Sequence, residues 1–295
     1  MISLDTFDFN STCETPGRLD YRELPREHLE LLANLEQASA ENNLLAVKEC
    51  FESLRRTHAN PDILAKPGSA FQIAVDRQCE EIVRYFLCQG VQVLASHIKS
   101  AIVSRSRPII KQLLEHGWPI NAQLGWSEPP ILAYATDDFE LAAWLLDYGA
   151  DPNASSTLNK TPLSAAVTHS PLDVIEMLFA KGGNVNEGQL LHYAMWRQQA
   201  DRSAVVKYIL QQGADINALM YRDHRESFVH REPFGIGAPL HEAAAAGDVE
   251  VIKLLLDNGA DKSVRDTRGR LPYERAQQEG HTVAVELLQN DMSRV

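Results

Sequence analysis

Small and apolar residues return along this chain at the spacing that packed pairs of helices require. Ala38, Ala74, Ala101, Ala166 and Ala243 are each followed, twelve residues later, by an apolar pair: Cys50-Phe51, Phe86-Leu87, Leu113-Leu114, Leu178-Phe179 and Leu255-Leu256. A small residue lets two helices approach closely, and the apolar pair fills the seam between neighbouring pairs. Gly90, Gly117, Gly149, Gly182, Gly213 and Gly259 fall where second helices should end in a left-handed residue. Pro162, Pro239 and Pro272 fall in the first turn of a helix, where a missing amide costs nothing. The pattern predicts eight helix pairs, at approximately 33–60, 69–92, 94–121, 128–153, 161–186, 188–217, 238–261 and 270–290.

Whole blocks recur with the pattern. Gly149-Ala150-Asp151-Pro152-Asn153 returns as Gly213-Ala214-Asp215-Ile216-Asn217 and as Gly259-Ala260-Asp261. Thr161-Pro162-Leu163 returns as Ala238-Pro239-Leu240-His241-Glu242-Ala243. A T-P-L-H-x-A block with a period in the thirties resembles the ankyrin-repeat family. The motifs are sharpest in the fifth, seventh and eighth units. In the second and third, Ser69-Ala70-Phe71-Gln72 and Ser96-His97-Ile98-Lys99 stand in their place. The resemblance implies an all-α ankyrin-repeat solenoid of helix-turn-helix units with short β-hairpin fingers, whose concave groove binds other proteins. It also implies that His192 and His241 hydrogen-bond the neighbouring turn. The residues that close each first helix should face the groove: Asp76 and Arg77, Val103 and Ser104, Thr168 and His169, Trp196 and Arg197, Ala245 and Ala246.

Departures from the pattern carry the functional expectations. Gly213 and Gly259 lie 46 residues apart, and the excess falls within residues 219–237. Insertions in repeat arrays map to one face, often the binding face. The simplest reading is a solvated, charged loop that stability can do without. The sixth unit also carries extra residues around Gln199-Ala200-Asp201-Arg202-Ser203. Residues 1–27 read as a mobile acidic arm, 28–290 as the array and 291–295 as a tail.

Composition narrows the partners. Of 295 residues, 28 are basic and 40 acidic, for a net charge of −12, which argues against nucleic acid and anionic membrane as main partners. No stretch is long and apolar enough to span a bilayer, and the acidic start shows no secretory signal. Cys13, Cys50, Cys79 and Cys88 have no C-x-x-C spacing and read as reduced, mostly buried thiols. The expectation is a monomeric protein of the cytoplasm, with the nucleus also open to it.

Candidate chemistry is sparse. The lone Gly235-Ile236-Gly237 lacks a third glycine, and no hydrolase or phosphate-loop motif is present. No histidine and cysteine spacing suits a metal, and no cofactor is expected. All four tryptophans fall in units three to six: Trp118 at an alanine position, Trp126 in a turn, Trp144 in the core of a second helix, and Trp196 at the groove. The first functional expectation is a protein-interaction scaffold that binds through Trp126, Thr168, His169, Trp196, Arg197, Tyr221, Arg225 and Phe228. The second is an ankyrin-scaffold enzyme or small-molecule binder of isomerase, cyclase or hydrolase type. Its pocket would lie under the insertion, with His224 or His230 as acid–base groups.

Overall fold

The computed structural model describes residues 25–57, 64, 67 and 69–289. The arm, save for its last three residues, and the tail lie outside the described residues, as does Cys13. The chain divides into two compact units, Met1–Gln92 and Val93–Val295.

In the first unit, Arg26–Ala40 pairs with Leu44–Thr57, and Ala70–Asp76 pairs with Glu80–Cys88. The first helix therefore begins inside the stretch expected to be a mobile arm. Its core is aromatic: Phe86 meets Phe51 and Phe71 edge-on, each at 5.8 Å. Glu36 ties the two pairs together, its Oε1 accepting from Ser69 N at 3.0 Å and Ser69 Oγ at 2.7 Å. Of the expected seam pair Cys50-Phe51, Phe51 is buried and Cys50 only half-buried. Cys79 is buried, whereas Cys88 is exposed, so the thiols are not uniformly interior.

In the second unit the pairs are Ala95–Val103 with Arg107–Glu115, Pro162–His169 with Leu172–Ala180, Leu190–Met195 with Arg202–Gln211, Pro239–Ala246 with Val249–Asp257, and Pro272–Gln278 with Thr282–Gln289. The remaining pair sets a single 3₁₀ turn, Ile131–Tyr134, before Phe139–Asp147. The protein is all-α, and the seam residues Leu113, Leu178 and Leu255 are fully buried. Trp144, expected in the core, is half-buried and leans on Tyr148 at 5.1 Å.

Two devices repeat. The glycine that ends each second helix is left-handed, with φ between +81° at Gly90 and +101° at Gly182. Side-chain amides then stitch unit to unit. Asn153 donates Nδ2 to Gly182 O at 2.9 Å while its Oδ1 accepts from Asn184 N at 2.8 Å. Asn121 does the same to Gly149 O and Asp151 N, and Asn217 to Gly259 O and Asp261 N.

The fingers are turns rather than β-hairpins. No strand forms among the described residues, and one isolated antiparallel bridge, Gly125 with Glu128, is the nearest approach. The fingers close instead with single backbone bonds, Leu124 N to Glu128 O, Ser156 N to Lys160 O and Asp266 N to Arg270 O. The third unit also shifts its motif. Its first helix starts two residues earlier than expected, and His97 Nδ1 accepts from Leu94 N at 2.9 Å, as His241 Nδ1 does from Ala238 N at 3.1 Å. His241 Nε2 then donates to Arg270 O at 3.1 Å, the expected bond to the neighbouring turn.

Leu255→Ala opens a cavity in a seam that cannot collapse around it, and should cost about 2–5 kcal/mol in a urea titration. His192 sets a pH dependence. Burial lowers its pKa from 6.5 to about 4. The unfolded chain therefore binds the proton that the folded chain refuses, and stability falls as pH drops from about 6.5 to about 4. The loss should approach about 3 kcal/mol in denaturant titrations across that range, and His192→Asn should flatten the slope.

Candidate interaction surface

The insertion is not a solvated loop. Its two ends are tied together where Met220 N donates to Gly237 O at 3.1 Å, and His192 Nε2 donates to the same carbonyl at 3.2 Å. Tyr221 turns the chain at φ +59° and donates its N–H to Gln189 Oε1 at 2.8 Å. The segment then forms the helix Arg225–Arg231 and a 3₁₀ turn, Glu232–Phe234. His224 caps that helix, Nδ1 accepting from Ser227 N at 3.3 Å. On the return, Thr267 Oγ1 donates to Glu232 O at 3.1 Å and Thr267 N to Ile236 O at 2.9 Å. Tyr221, Ser227 and Ile236 are buried. Deleting the segment would remove these buried side chains and take the Gly237 O acceptor from buried His192, so it should cost stability.

Gly235-Ile236-Gly237 has a structural task. Gly235 is left-handed at φ +89°, and a Cβ on Gly237 would stand 2.6 Å from His241 Cβ. Only a bare backbone re-enters the array there.

The insertion joins two aromatic positions. Trp126, on the turn before the 3₁₀ segment, meets His230 edge-on at 5.3 Å. Trp196 meets Tyr193 edge-on at 5.1 Å, and Tyr193 Oη lies 3.5 Å from Tyr221 Oη. Burial raises the pKa of both tyrosines, so they stay neutral. Trp126 and Trp196 are exposed, at 52% and 41%. Phe228 is half-buried and Arg225 exposed. His169 is exposed, with Nε2 3.5 Å from Thr136 Oγ1, and Thr168 turns back to Ser164 O at 2.8 Å.

Arg197 does not face the groove. It is 1% exposed, among the largest fully buried side chains described. Nε and Nη2 grip Asp201 Oδ1 and Oδ2, each at 2.7 Å. Nη1 donates to Val167 O at 3.1 Å and Nη2 to Ser170 O at 2.9 Å. Those carbonyls close the Pro162–His169 helix, where a cation is favoured. Arg202 extends the clamp, donating Nε to Arg197 O and pairing Nη1 with Asp248. The extra residues of the sixth unit supply Asp201 and Arg202, so the clamp reaches from the fifth unit to the seventh. Bonding to Arg197 holds the Asp201 carboxyl below the usual range. Arg197 and Asp201 meet across the non-helical connection between two helices, which helical spacing in the sequence does not signal.

The alternative acid–base groups are committed elsewhere, His224 to its cap and His230 to Trp126. A shallow cleft beside the first residues of the insertion is lined by Asn186, Leu190, Ala218, Leu219, Arg222 and Asp223. It opens to solvent, and the histidine that lines it is the buried His192 rather than His224 or His230. No group of three metal-ligating side chains is present among the described residues.

Comparison with known proteins places the repeats. A family model for ankyrin repeats in three copies matches residues 130–220, and a single ankyrin repeat matches 238–267. Residues 130–220 and 238–267 are thus similar to ankyrin repeats. Ankyrin repeats are generally protein–protein interaction modules. The chain is 30% identical over 170 residues to neurogenic locus notch homolog protein 2 of Homo sapiens, covering 55% of this chain and 6% of that one. It is 25% identical over 179 residues to potassium channel AKT1 of Arabidopsis thaliana, covering 49% and 19%. It is 23% identical over 227 residues to putative palmitoyltransferase ZDHHC13 of Danio rerio, covering 74% and 33%. The chain spans a third or less of these relatives, whose names share no activity.

Arg197→Met keeps the bulk but orphans two carbonyls and Asp201. It should lower stability by roughly 2–4 kcal/mol in a denaturant titration. Arg197→Lys, which cannot form the bidentate grip, should recover only part of that loss.

Proposed function

We propose that this chain is a non-catalytic interaction module whose protein partner docks on the surface spanning Trp126, the insertion and Trp196. The observation that carries the reading is the Trp126 to His230 contact. A segment inserted between two later units reaches back to the turn of an earlier one, and so collects aromatic residues from distant parts of the chain. Exposed tryptophans beside ordered polar side chains are the composition of binding hot spots. Thr168 and His169 stand at the matching groove positions of the unit between. The partner-facing set therefore keeps Trp126, Thr168, His169, Trp196, Arg225 and Phe228 and loses Arg197, while buried Tyr221 supports it from beneath. Reduced thiols at Cys50, Cys79 and Cys88 suit a cytoplasmic setting.

Trp196→Ala removes an exposed ring whose one aromatic contact among the described residues is the edge of Tyr193. It should weaken capture of the native partner by more than about 1 kcal/mol, measured on complexes recovered from the native cell, while thermal unfolding moves little. Unfolding of the variant without a separable binding loss would sink the reading.

A further inference from the structure

The amide stitch between units skips one junction. Asn121, Asn153 and Asn217 each bond a glycine carbonyl of the next unit and the N–H two residues on. Asn186 stands at the same place in the fifth unit, with Gly213 and Asp215 as the matching pair in the sixth. Among the described residues Asn186 makes neither bond, and Gly213 O and Asp215 N make no other. The cause is a short finger. Helix Leu190–Met195 starts four residues after Asn186, whereas Pro162–His169 starts nine after Asn153. The shortened connection is tied back to the fifth unit and its finger, Gly188 O accepting from Ser164 Oγ at 2.7 Å and Gly188 N donating to Asn159 Oδ1 at 3.2 Å. The Arg197 clamp seats the two units without the missing rung.

The open rung borders a cleft. Asn186, Ala214 and Asp215 line it with Val185, Leu190 and Leu219, around a volume of about 110 Å³. That is several times the roughly 10–15 Å³ that one water needs. The Asp215 carboxylate is turned to Asn217 N at 3.0 Å, so the backbone pair is what the rung offers. We infer that this rung takes a primary carboxamide from the partner protein, an Asn or Gln side chain whose N–H donates to Gly213 O and whose oxygen accepts from Asp215 N. The same backbone pair binds that same group in three other units of this chain, which identifies the chemistry it fits. A carboxylate only accepts and an ammonium only donates, so neither satisfies both groups. Asp215 and Asp223 stand against the single guanidinium of Arg222 at the cleft, which further disfavours an acid. Leu219, Arg222 and Asp223 belong to the insertion, so the cleft is continuous with the surface proposed above. The inference rests on that interaction reading and names the residue type that the partner contributes.

Two measurements on the full chain test it. In amide hydrogen exchange of the free protein, Asp215 N–H should exchange at least about tenfold faster than Asp151, Asn184 and Asp261 N–H, which the rungs protect. Equal rates would mean that Asn186 closes the rung, and would overturn the inference. The second is selection of twelve-residue peptides from a random display library, followed by fluorescence polarisation with the winners. Winners should share an Asn or Gln whose change to Asp or Glu weakens binding at least about fivefold, and should slow exchange at Asp215. Asp215→Pro removes the N–H and should cost as much. Pro119 already stands at that place in the third unit, where Asn121 still reaches the fourth, so the variant should fold, as circular dichroism would check. Asp215→Asn keeps the N–H, as Asn184 does in the fifth unit, and should bind normally. Winners that tolerate loss of the carboxamide and Asp215→Pro, yet fail on Trp196→Ala, would overturn this inference and leave the groove reading standing. Winners sensitive to none of these variants, or no winners, would overturn both.

Discussion

One backbone hydrogen bond recurs in five of the helix pairs and sets how their second helices fold back. The N–H five residues after the small residue donates back to that residue's carbonyl: Asn43 to Ala38, Cys79 to Ala74, Ser106 to Ala101, Asp248 to Ala243 and His281 to Ala276, at 2.9–3.1 Å. The residue just before each donor is left-handed, namely Asn42, Gln78, Arg105, Gly247 and Gly280. The bond folds the second helix sharply back along the first, and only a small side chain leaves room for that approach. Once the turn is fixed, the residue twelve positions on falls into the seam. The apolar pairs are buried because the turn aims them there.

That origin explains what was legible in the sequence. Alanine-to-leucine spacing, terminal glycines and first-turn prolines each report a local geometric demand, and they survive even where the T-P-L-H block has decayed. Reading by analogous position failed where chain length changed. Arg197 aligns with Thr168 and His169 only if the following turn has standard length. The extra residues after it bring Asp201 within reach, and a bidentate partner with two helix-end carbonyls outcompetes solvent. Cys50 is only half-buried for a milder reason: helix Leu44–Thr57 buries Val47, Phe51 and Leu54, a face rotated by one residue. The insertion's helix escaped notice because seven residues with four charged or histidine side chains show no periodic apolar face.

The stack tolerates the insertion because the insertion is closed at its base. With Met220 bonded to Gly237, the chain leaves and rejoins the array at nearly the same place. Asn217, just before the departure, still reaches Gly259 and Asp261 of the next unit. The unit-to-unit ladder therefore runs on as if the extra residues were absent. What the insertion adds lies to the side, so it can differentiate one surface without disturbing the core.

Adjacent residues of the sixth unit divide structure from recognition. Trp196 points outward and Arg197 inward, and the Arg197 carbonyl is itself held by Arg202. Burying a guanidinium is costly unless every donor finds an acceptor. Here the acceptors belong to the preceding unit and to the extra turn, so the charge is satisfied only when the two units are seated in one relative orientation. The clamp that removed Arg197 from the candidate surface thus fixes the backbone from which Trp196 projects. An exposed aromatic loses less freedom on binding when its backbone is already ordered. A buried ion pair can in this way serve recognition by a residue that never touches the partner.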